Sequence, residues 1–459
     1  MVRALRSWWH ESERWYLVVG LANLVLGTSS ILIPLSVDKI FGRSVASIGI
    51  LTSLASLVGV LGSLLWGRLS DSAARRKPFI VLGYAAAGLC FLGISMATAF
   101  HQLTVFNMLL NFFWVANASV TVLLVIENSH EGTWERKIGH LNQIGALGWV
   151  LGLALGGLWM HWIPPILGEI MAIRVLFWTI GLSGLLASML AVLSIPRTVP
   201  IFTQRKFRGI LPALGSFISE RARFAPLHLY HRLHPRRIIA QLTHPEGFRS
   251  GTKRFLLSTL FSFVALGFFG IPLPMLLSQQ FGLSSSTVFL FFVFHQIGIV
   301  IAYPLASRRI RKLGNRHVQM SSLGARALLF SAFALYLAFF NESPPGAVLV
   351  AAFVVYGITW SYFQLSGTAL TSRLARKSNR GLALGMYNAT AGIGWIIAGI
   401  GSGHIAARFG YSVTFGIAGG LLVLSLAILL SVPDPGIESK EKRVVHRAPP
   451  TERTASSHS

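Results

Sequence analysis

The feature that most constrains this chain is a series of long segments that contain no Asp, Glu, Lys or Arg. Residues 44–67, 79–100 and 102–126 are three of these segments, and residues 255–307 form a fourth that is 53 residues long. About 20 apolar residues cross the hydrocarbon core of a bilayer as a helix. The composition agrees, since 53% of the residues are hydrophobic and only 12% are charged. The pattern predicts an all-α polytopic membrane protein.

The predicted topology has twelve membrane spans. The first follows a start that carries no small-residue cleavage site, so we interpret it as a span and not as a cleavable signal. The predicted spans are 15–36, 46–66, 79–100, 102–126, 138–161, 171–195, 255–277, 286–306, 317–340, 346–371, 381–405 and 411–432.

The net charge of +25 is distributed unevenly along the chain. With the N-terminus inside, 35 of the 40 Lys and Arg residues fall on the inner side of the predicted topology. Cationic loops stay in the cytoplasm, which predicts the plasma (inner) membrane with both termini cytoplasmic. The basic face is expected to meet anionic lipid headgroups, at about 1 kcal/mol per cation. This placement argues against a nucleic-acid partner.

The spans divide into two groups of six. A basic cytoplasmic linker, residues 196–254, carries 12 Lys and Arg and separates bundles at 15–195 and 255–432. The segments "IGHLNQIGALGWVLGLALGG" and "LGMYNATAGIGWIIAGIGSG", in the fifth span of each half, match at a constant offset of 246. This self-similarity indicates a duplicated six-span unit, one known plan of transporters. Residues 1–14 are predicted to be a cytoplasmic N-terminus and residues 433–459 a disordered cytoplasmic tail.

The turn "GRLSDSAARRKP" between the second and third spans carries the first family signal. It resembles the G-x-L-x-D-R-x-G-R-R-K turn of the major facilitator superfamily (MFS), with Ser72 and Ala74 as departures. The resemblance implies the MFS fold, with twelve transmembrane helices in two pseudo-symmetric six-helix bundles. It also implies a cytoplasmic gate, in which Asp71 faces the N-terminus of the eleventh span. The cations alternatively serve only as topology determinants. The gating residues would be Gly67, Asp71, Arg75, Arg76 and Lys77.

A glycine pattern in the fifth span resembles the G-x8-G-x3-G-P-x2-G-G motif of MFS antiporters that export drugs and metabolites. Leu153 stands where that motif has proline. Glycines at four-residue steps share a helical face and allow close approach of another helix, so packing alone would also explain them. The motif residues are Gly139, Gly148, Gly152, Gly156 and Gly157.

The MFS resemblance implies a substrate cavity lined mainly by the first, fourth, seventh and tenth spans. The polar and aromatic side chains on these spans are neutral, which suits an uncharged or amphipathic solute, or a cation held by aromatic faces. Trp and Tyr are also enriched at membrane interfaces in general, which explains aromatic residues without a bound substrate. The candidate cavity residues are Asn23, Asn107, Asn111, Trp114, Trp360, Tyr362 and Gln364.

Two ionisable side chains lie within predicted spans, while no Asp or Glu occupies a span centre. His295, midway along the eighth span, is a candidate for proton coupling because a histidine pKa suits proton transfer. Alternatively, His295 only forms a hydrogen bond to a neighbouring helix and carries no proton. Arg326, in the ninth span, is expected to snorkel to the inner interface or to pair nearby. An anionic substrate is the other explanation for this arginine.

These patterns predict a secondary active transporter that moves a small organic solute by alternating access, as an exporter of the drug or metabolite:proton antiport type. The alternatives are an importer or a facilitative uniporter of a neutral solute such as a sugar and, more remotely, a membrane-embedded enzyme. No G-x-x-x-x-G-K-[ST] loop occurs, which disfavours ATP-driven pumping. We expect no enzymatic activity, no cofactor and no metal, and a monomeric protein.

Overall fold

The computed structural model describes residues 15–72, 77–127, 134–195, 251–340, 342–374 and 380–433. Within these ranges the regular secondary structure is helical. The predicted N-terminal segment 1–14, most of the basic linker 196–254 and nearly all of the tail 433–459 lie outside the described residues.

The chain forms two compact units, of which the first takes in residues 1–41 and 54–248. The second takes in residues 42–53 and 249–459, so that helix α2 begins in the second unit and continues in the first. The long helices described up to residue 194 are α1 Tyr16–Lys39, α2 Val45–Ser72, α3 Lys77–Met96, α4 Phe100–Glu127, α5 Trp134–Trp162 and α6 Glu169–Ser194, with a short helix, Pro164–Leu167, before α6.

The second unit contains five further long helices. The last of them is interrupted at Gly410, whose φ of 83° is outside the helical region. These helices are α7 Thr252–Gly270, α8 Ser285–Leu313, α9 Asn315–Phe339, α10 Gly346–Leu374 and α11 Arg380–Leu430.

The twelve predicted spans each overlap one of these helical segments, with the last two on either side of Gly410. Ten stretches of the described chain are long and apolar enough to cross a membrane, and one of these, Ala383–Leu430, includes both sides of Gly410. Helix α7 ends at Gly270, earlier than predicted, and is followed by Leu273–Met275 and a π-helical stretch, Leu276–Gln280. Pro272 and Pro274 explain this end, because proline has no N–H to continue the helical ladder.

The two units use the same helix pairings. In the first unit α1 packs against α5, and α3 packs against α4 and α6. In the second unit α7 packs against α11, and α9 packs against α10 and α11. A hydroxyl of the sixth span also bonds a carbonyl of the third helix in each unit, at opposite ends of the two helix pairs: Ser188 of α6 donates to Val81 O at 2.9 Å, and Ser412, just after Gly410, donates to Ala334 O at 2.8 Å. These repeated contacts agree with a duplicated helical unit.

The start of α2 belongs to the second unit because small residues let it approach α11. A Cβ atom on Gly49 would overlap Gly399 O, and one on Gly403 would lie 2.9 Å from Val45 O. Ser53 Oγ donates to Ile396 O at 2.9 Å. Glycine at these positions therefore permits direct backbone contact between the two helices.

Candidate functional site

A fully buried arginine lies on α9 of the second unit. The side chain of Arg326, on α9, is 0% exposed and is the only charged side chain among the buried residues of the described chain. Its guanidinium packs against three aromatic rings of α10, with Cζ 5.0 Å from the ring centre of Tyr356, 5.4 Å from that of Trp360 and 6.0 Å from that of Phe363. We call this set of four residues the arginine cage.

The cage follows from the periodicity of α10. Positions 356, 360 and 363 are spaced i, i+4 and i+7, which places their side chains on one helical face. A cation within about 6 Å of a ring centre is attracted by the ring quadrupole. The three rings therefore supply part of the solvation that the guanidinium loses on burial.

Hydrogen bonding leaves the guanidinium only partly satisfied. Arg326 Nη2 donates to Tyr356 O at 3.0 Å. Nε and Nη1 are buried and have no hydrogen-bond partner among the described residues. An arginine has five N–H donors, so most of its bonding capacity is unused.

Helix α8 borders the cage through His295, which is partly exposed. The ring centre of His295 lies 4.5 Å from that of Tyr356. A Cβ atom on Gly357 would overlap His295 O, so the glycine lets α8 and α10 approach closely. The rings of Phe269 and Phe330 are stacked, with their centres 3.9 Å apart. Both rings also contact the Tyr356 ring and help to hold it in place.

The structure corrects the expectation that Arg326 snorkels to the inner interface, and the nearby partners that it shows are three rings and the Tyr356 carbonyl. The side chain is enclosed, and it forms no ion pair among the described residues. The sequence analysis noted Arg326 and Trp360 separately and missed Tyr356 and Phe363. The aromatic i, i+4, i+7 spacing in "YGITWSYF" was the signal that would have predicted a ring-lined face.

The remaining cavity candidates of the second unit lie on α10 beyond the cage. Tyr362 and Gln364 are partly exposed. The Tyr362 ring centre is 5.8 Å from Cζ of the exposed Arg309. Gln364 O accepts a bond from Thr368 Oγ1 at 2.9 Å. Of the three candidates on α10, only Trp360 touches the buried arginine.

The cavity candidates of the first unit form local contacts. Asn111 Nδ2 donates to Asn107 O at 2.9 Å, and Asn107 is buried. Asn23 Nδ2 donates to Val19 O at 2.8 Å. The Trp114 ring lies 5.9 Å from that of Tyr84. Asn111 and Asn23 thus each bond a carbonyl one turn earlier in their own helix.

The structure describes the gating candidates only in part. Gly67 and Asp71 lie on α2, whose backbone is helical there, but their side chains are outside the described part of the chain, as are residues Arg75 and Arg76. Lys77 is described, and its Nζ donates to Ile195 O at 2.8 Å, at the end of α6.

Lys77 has a counterpart in the second unit. Arg316, at the start of α9, donates from Nη2 to Leu430 O at 2.6 Å, at the end of α11. In each unit a cation at the start of the third helix thus bonds a carbonyl at the end of the sixth span. Cations favour helix C-termini, where backbone carbonyls lack partners.

The glycine motif of the fifth span packs against α1. A Cβ atom on Gly148 would overlap Gly20 O, and one on Gly152 would overlap Leu24 O. Thr28 Oγ1 donates to Gly152 O at 2.7 Å across the same contact. Of the other motif glycines, Gly156 is buried, Gly157 is partly buried, and Gly139 lies on α5 where side-chain surroundings are not described.

The described residues contain no group of three His, Cys, Asp or Glu side chains that could hold a metal ion. Ten candidate spans among the described residues, in two units of like helix pairing, are typical of a polytopic membrane protein. The family model of the Major Facilitator Superfamily matches residues 15–232 and 255–457. The chain belongs to this superfamily and is a membrane transporter of the MFS type.

Solved structures of several transporters are similar to the chain. The nucleoside transporter NupG is 16% identical with a TM-score of 0.64, covering 91% of this chain and 97% of its own. A D-xylose–proton symporter is 15% identical with a TM-score of 0.67, at 92% and 98% coverage. The peptide transporter POT, as a sulfate complex of a mutant, is 12% identical with a TM-score of 0.72, at 94% of both chains. No curated protein matches the chain by sequence.

Proposed function

We propose that the protein is a secondary active transporter that exports a small organic solute by alternating access, in exchange for protons. The observation that carries the direction is the glycine face of α5, which resembles the motif of MFS antiporters and packs directly on α1 through Gly148 and Gly152. Close helix contact of this kind suits an element on which two conformations pivot.

The similar solved transporters support a small organic solute. They are described as transporters of nucleosides, of peptides and of D-xylose with a proton. The xylose symporter also favours the second candidate function, uptake of a neutral solute such as a sugar. We further propose that both termini are cytoplasmic in the plasma membrane, which the placement of 35 of 40 Lys and Arg supports.

Asp71→Asn is expected to slow transport without reducing membrane insertion. If the carboxylate helps to hold one conformation at a helix N-terminus, its loss costs about 0.3–2 kcal/mol, or roughly 2- to 30-fold in the population of that state. The measurement is accumulation of labelled lipophilic drugs and sugars in an efflux-deficient bacterium, with and without a protonophore.

Asp38→Asn is the matched control for that experiment. It makes the same charge change at the end of α1, where Asp38 lies 3.9 Å from Lys39 Nζ. Export is supported if the wild type lowers accumulation and the protonophore restores it. Raised accumulation would instead support uptake. If Asp71→Asn transports at the wild-type rate when it is expressed equally, Asp71 is not part of the gate.

His295→Gln is expected to leave the pH dependence of transport unchanged. The His295 ring lies against the Tyr356 ring, on which the Arg326 cation also lies, so a proton on His295 would place a second positive charge in the cage. Two positive charges at this range repel each other. The measurement is the initial rate in proteoliposomes across the titration range of histidine. A flattened pH profile in the variant would make His295 the proton carrier.

A further inference from the structure

Arg326 lies far from both ends of its helix. Helix α9 runs from Asn315 to Phe339, and Arg326 is near its middle. At 1.5 Å per residue, about 16 Å of helix separates Arg326 from Asn315, and about 20 Å separates it from Phe339. The side chain is 0% exposed. Its charge is therefore solvated by groups within the second unit or by a molecule that enters it.

The described residues of the second unit offer no counter-charge to this guanidinium. Residues 252–432 contain one acidic residue, Glu342, which is exposed and precedes α10. Lys39 lies 3.9 Å from Asp38 and from Glu169, both in the first unit, and Arg326 forms no ion pair among the described residues. An unpaired charge at membrane depth is costly and normally marks a functional position.

The unused donors define the chemistry that would complete the cage. The faces of aromatic rings attract the cation, but they accept no strong hydrogen bonds from its N–H groups. Nε and Nη1 have no partner among the described residues. Arginine binds carboxylates through paired, charge-assisted N–H···O bonds. One carboxylate also balances one guanidinium charge, whereas a dianionic phosphate would leave a net negative charge.

We propose that Arg326 binds the carboxylate of the transported molecule, an organic monoanion with an apolar or aromatic body. This inference rests on the proposed transport function and names its substrate class. The body of the ligand would contact Tyr356, Trp360 and His295, whose side chains are partly exposed and border the guanidinium. Fully buried Phe363 closes the other end of the cage.

The first test compares acids with amides of the same shape and uses the wild-type protein alone. The probes are benzoate and benzamide, indole-3-acetate and indole-3-acetamide, and octanoate and octanamide. Dissociation constants are measured by calorimetry on the full chain in detergent. The acid of at least one pair is expected to bind about 10- to 100-fold more tightly than its amide, the range of a charge-assisted hydrogen bond.

The second test removes the charge. Arg326→Met, of similar volume, is expected to weaken acid binding about 10- to 100-fold and to leave amide binding unchanged. If the methionine variant fails to fold, Arg326→Lys, which keeps the charge, replaces it. The lysine variant is expected to lose part of the affinity for the acids. Arg309→Gln is the matched control, because Arg309 also stacks on a tyrosine of α10 but is exposed. It should keep the full acid preference.

The outcomes separate this proposal from the proposed function. No acid preference in any pair, or an acid preference that survives Arg326→Met, overturns the carboxylate site. Transport of sugars or amides by the same wild-type protein in proteoliposomes would then leave the transporter function standing. Acid binding that depends on Arg326, without transport of any probe, would support the site and count against the transport function.

Discussion

Gly148→Ala is expected to destabilise the protein strongly and to reduce the yield of folded transporter. The new methyl group would overlap the backbone carbonyl of Gly20, which cannot rotate away as a side chain can. Overpacking typically costs about 1–3 kcal/mol, and a clash with backbone belongs at the upper end of that range or above it. The measurement is the thermal midpoint of the detergent-solubilised protein, followed by intrinsic fluorescence and by elution profile.

Two further glycines provide a graded comparison. A Cβ atom on Gly394, the repeat partner of Gly148, would lie 2.7 Å from Phe263 Cβ, so Gly394→Ala should cost less. A Cβ atom on Gly385 would meet nothing within 4 Å, and Gly385→Ala should stabilise helix α11 by about 0.5–1 kcal/mol. Equal midpoints for Gly148→Ala and Gly385→Ala would contradict the close contact between α1 and α5.

The membrane spans were predictable because the hydrocarbon core allows few charges, and the sequence shows where charges are absent. The ends of the helices were less predictable because a helix can continue beyond the last residue of its apolar segment. Helix α2 continues to Ser72, past the charged residues Arg68 and Asp71. The break predicted at 406–410 is confined to Gly410, whose left-handed conformation suits a residue without a side chain.

The arginine cage was not predictable as a unit, although two of its members were noted. Spacing within α10 places Tyr356, Trp360 and Phe363 on one face, and this is local information. That α9 turns Arg326 towards this face depends on how α9 and α10 pack, which no spacing in either helix specifies. From the sequence, Arg326 was expected to reach the inner interface, to pair nearby or to bind an anionic substrate. The structure shows three rings and one carbonyl instead.

Arg326→Met is expected to be at least as stable as the wild type when no ligand is present, whereas Arg326→Ala is expected to be much less stable than either. Burying the guanidinium costs several kcal/mol of desolvation, and the cation–π contacts return about 2 kcal/mol or somewhat more. Methionine removes the buried charge, fills a similar volume and makes favourable contacts with aromatic rings. Alanine also removes the charge but leaves a cavity among Tyr356, Trp360 and Phe363, at a cost of about 3 kcal/mol relative to methionine.

The order of the three thermal midpoints therefore distinguishes two explanations of the arginine. If the methionine variant equals or exceeds the wild type, the charge does not serve the stability of the second unit, and a role in binding accounts for its position. A methionine variant that falls to the level of the alanine variant would mean that the cation–π contacts and the bond to Tyr356 O hold α9 and α10 together. Arg309→Gln, measured alongside, shows how much a cation–ring contact contributes where the guanidinium remains exposed to water.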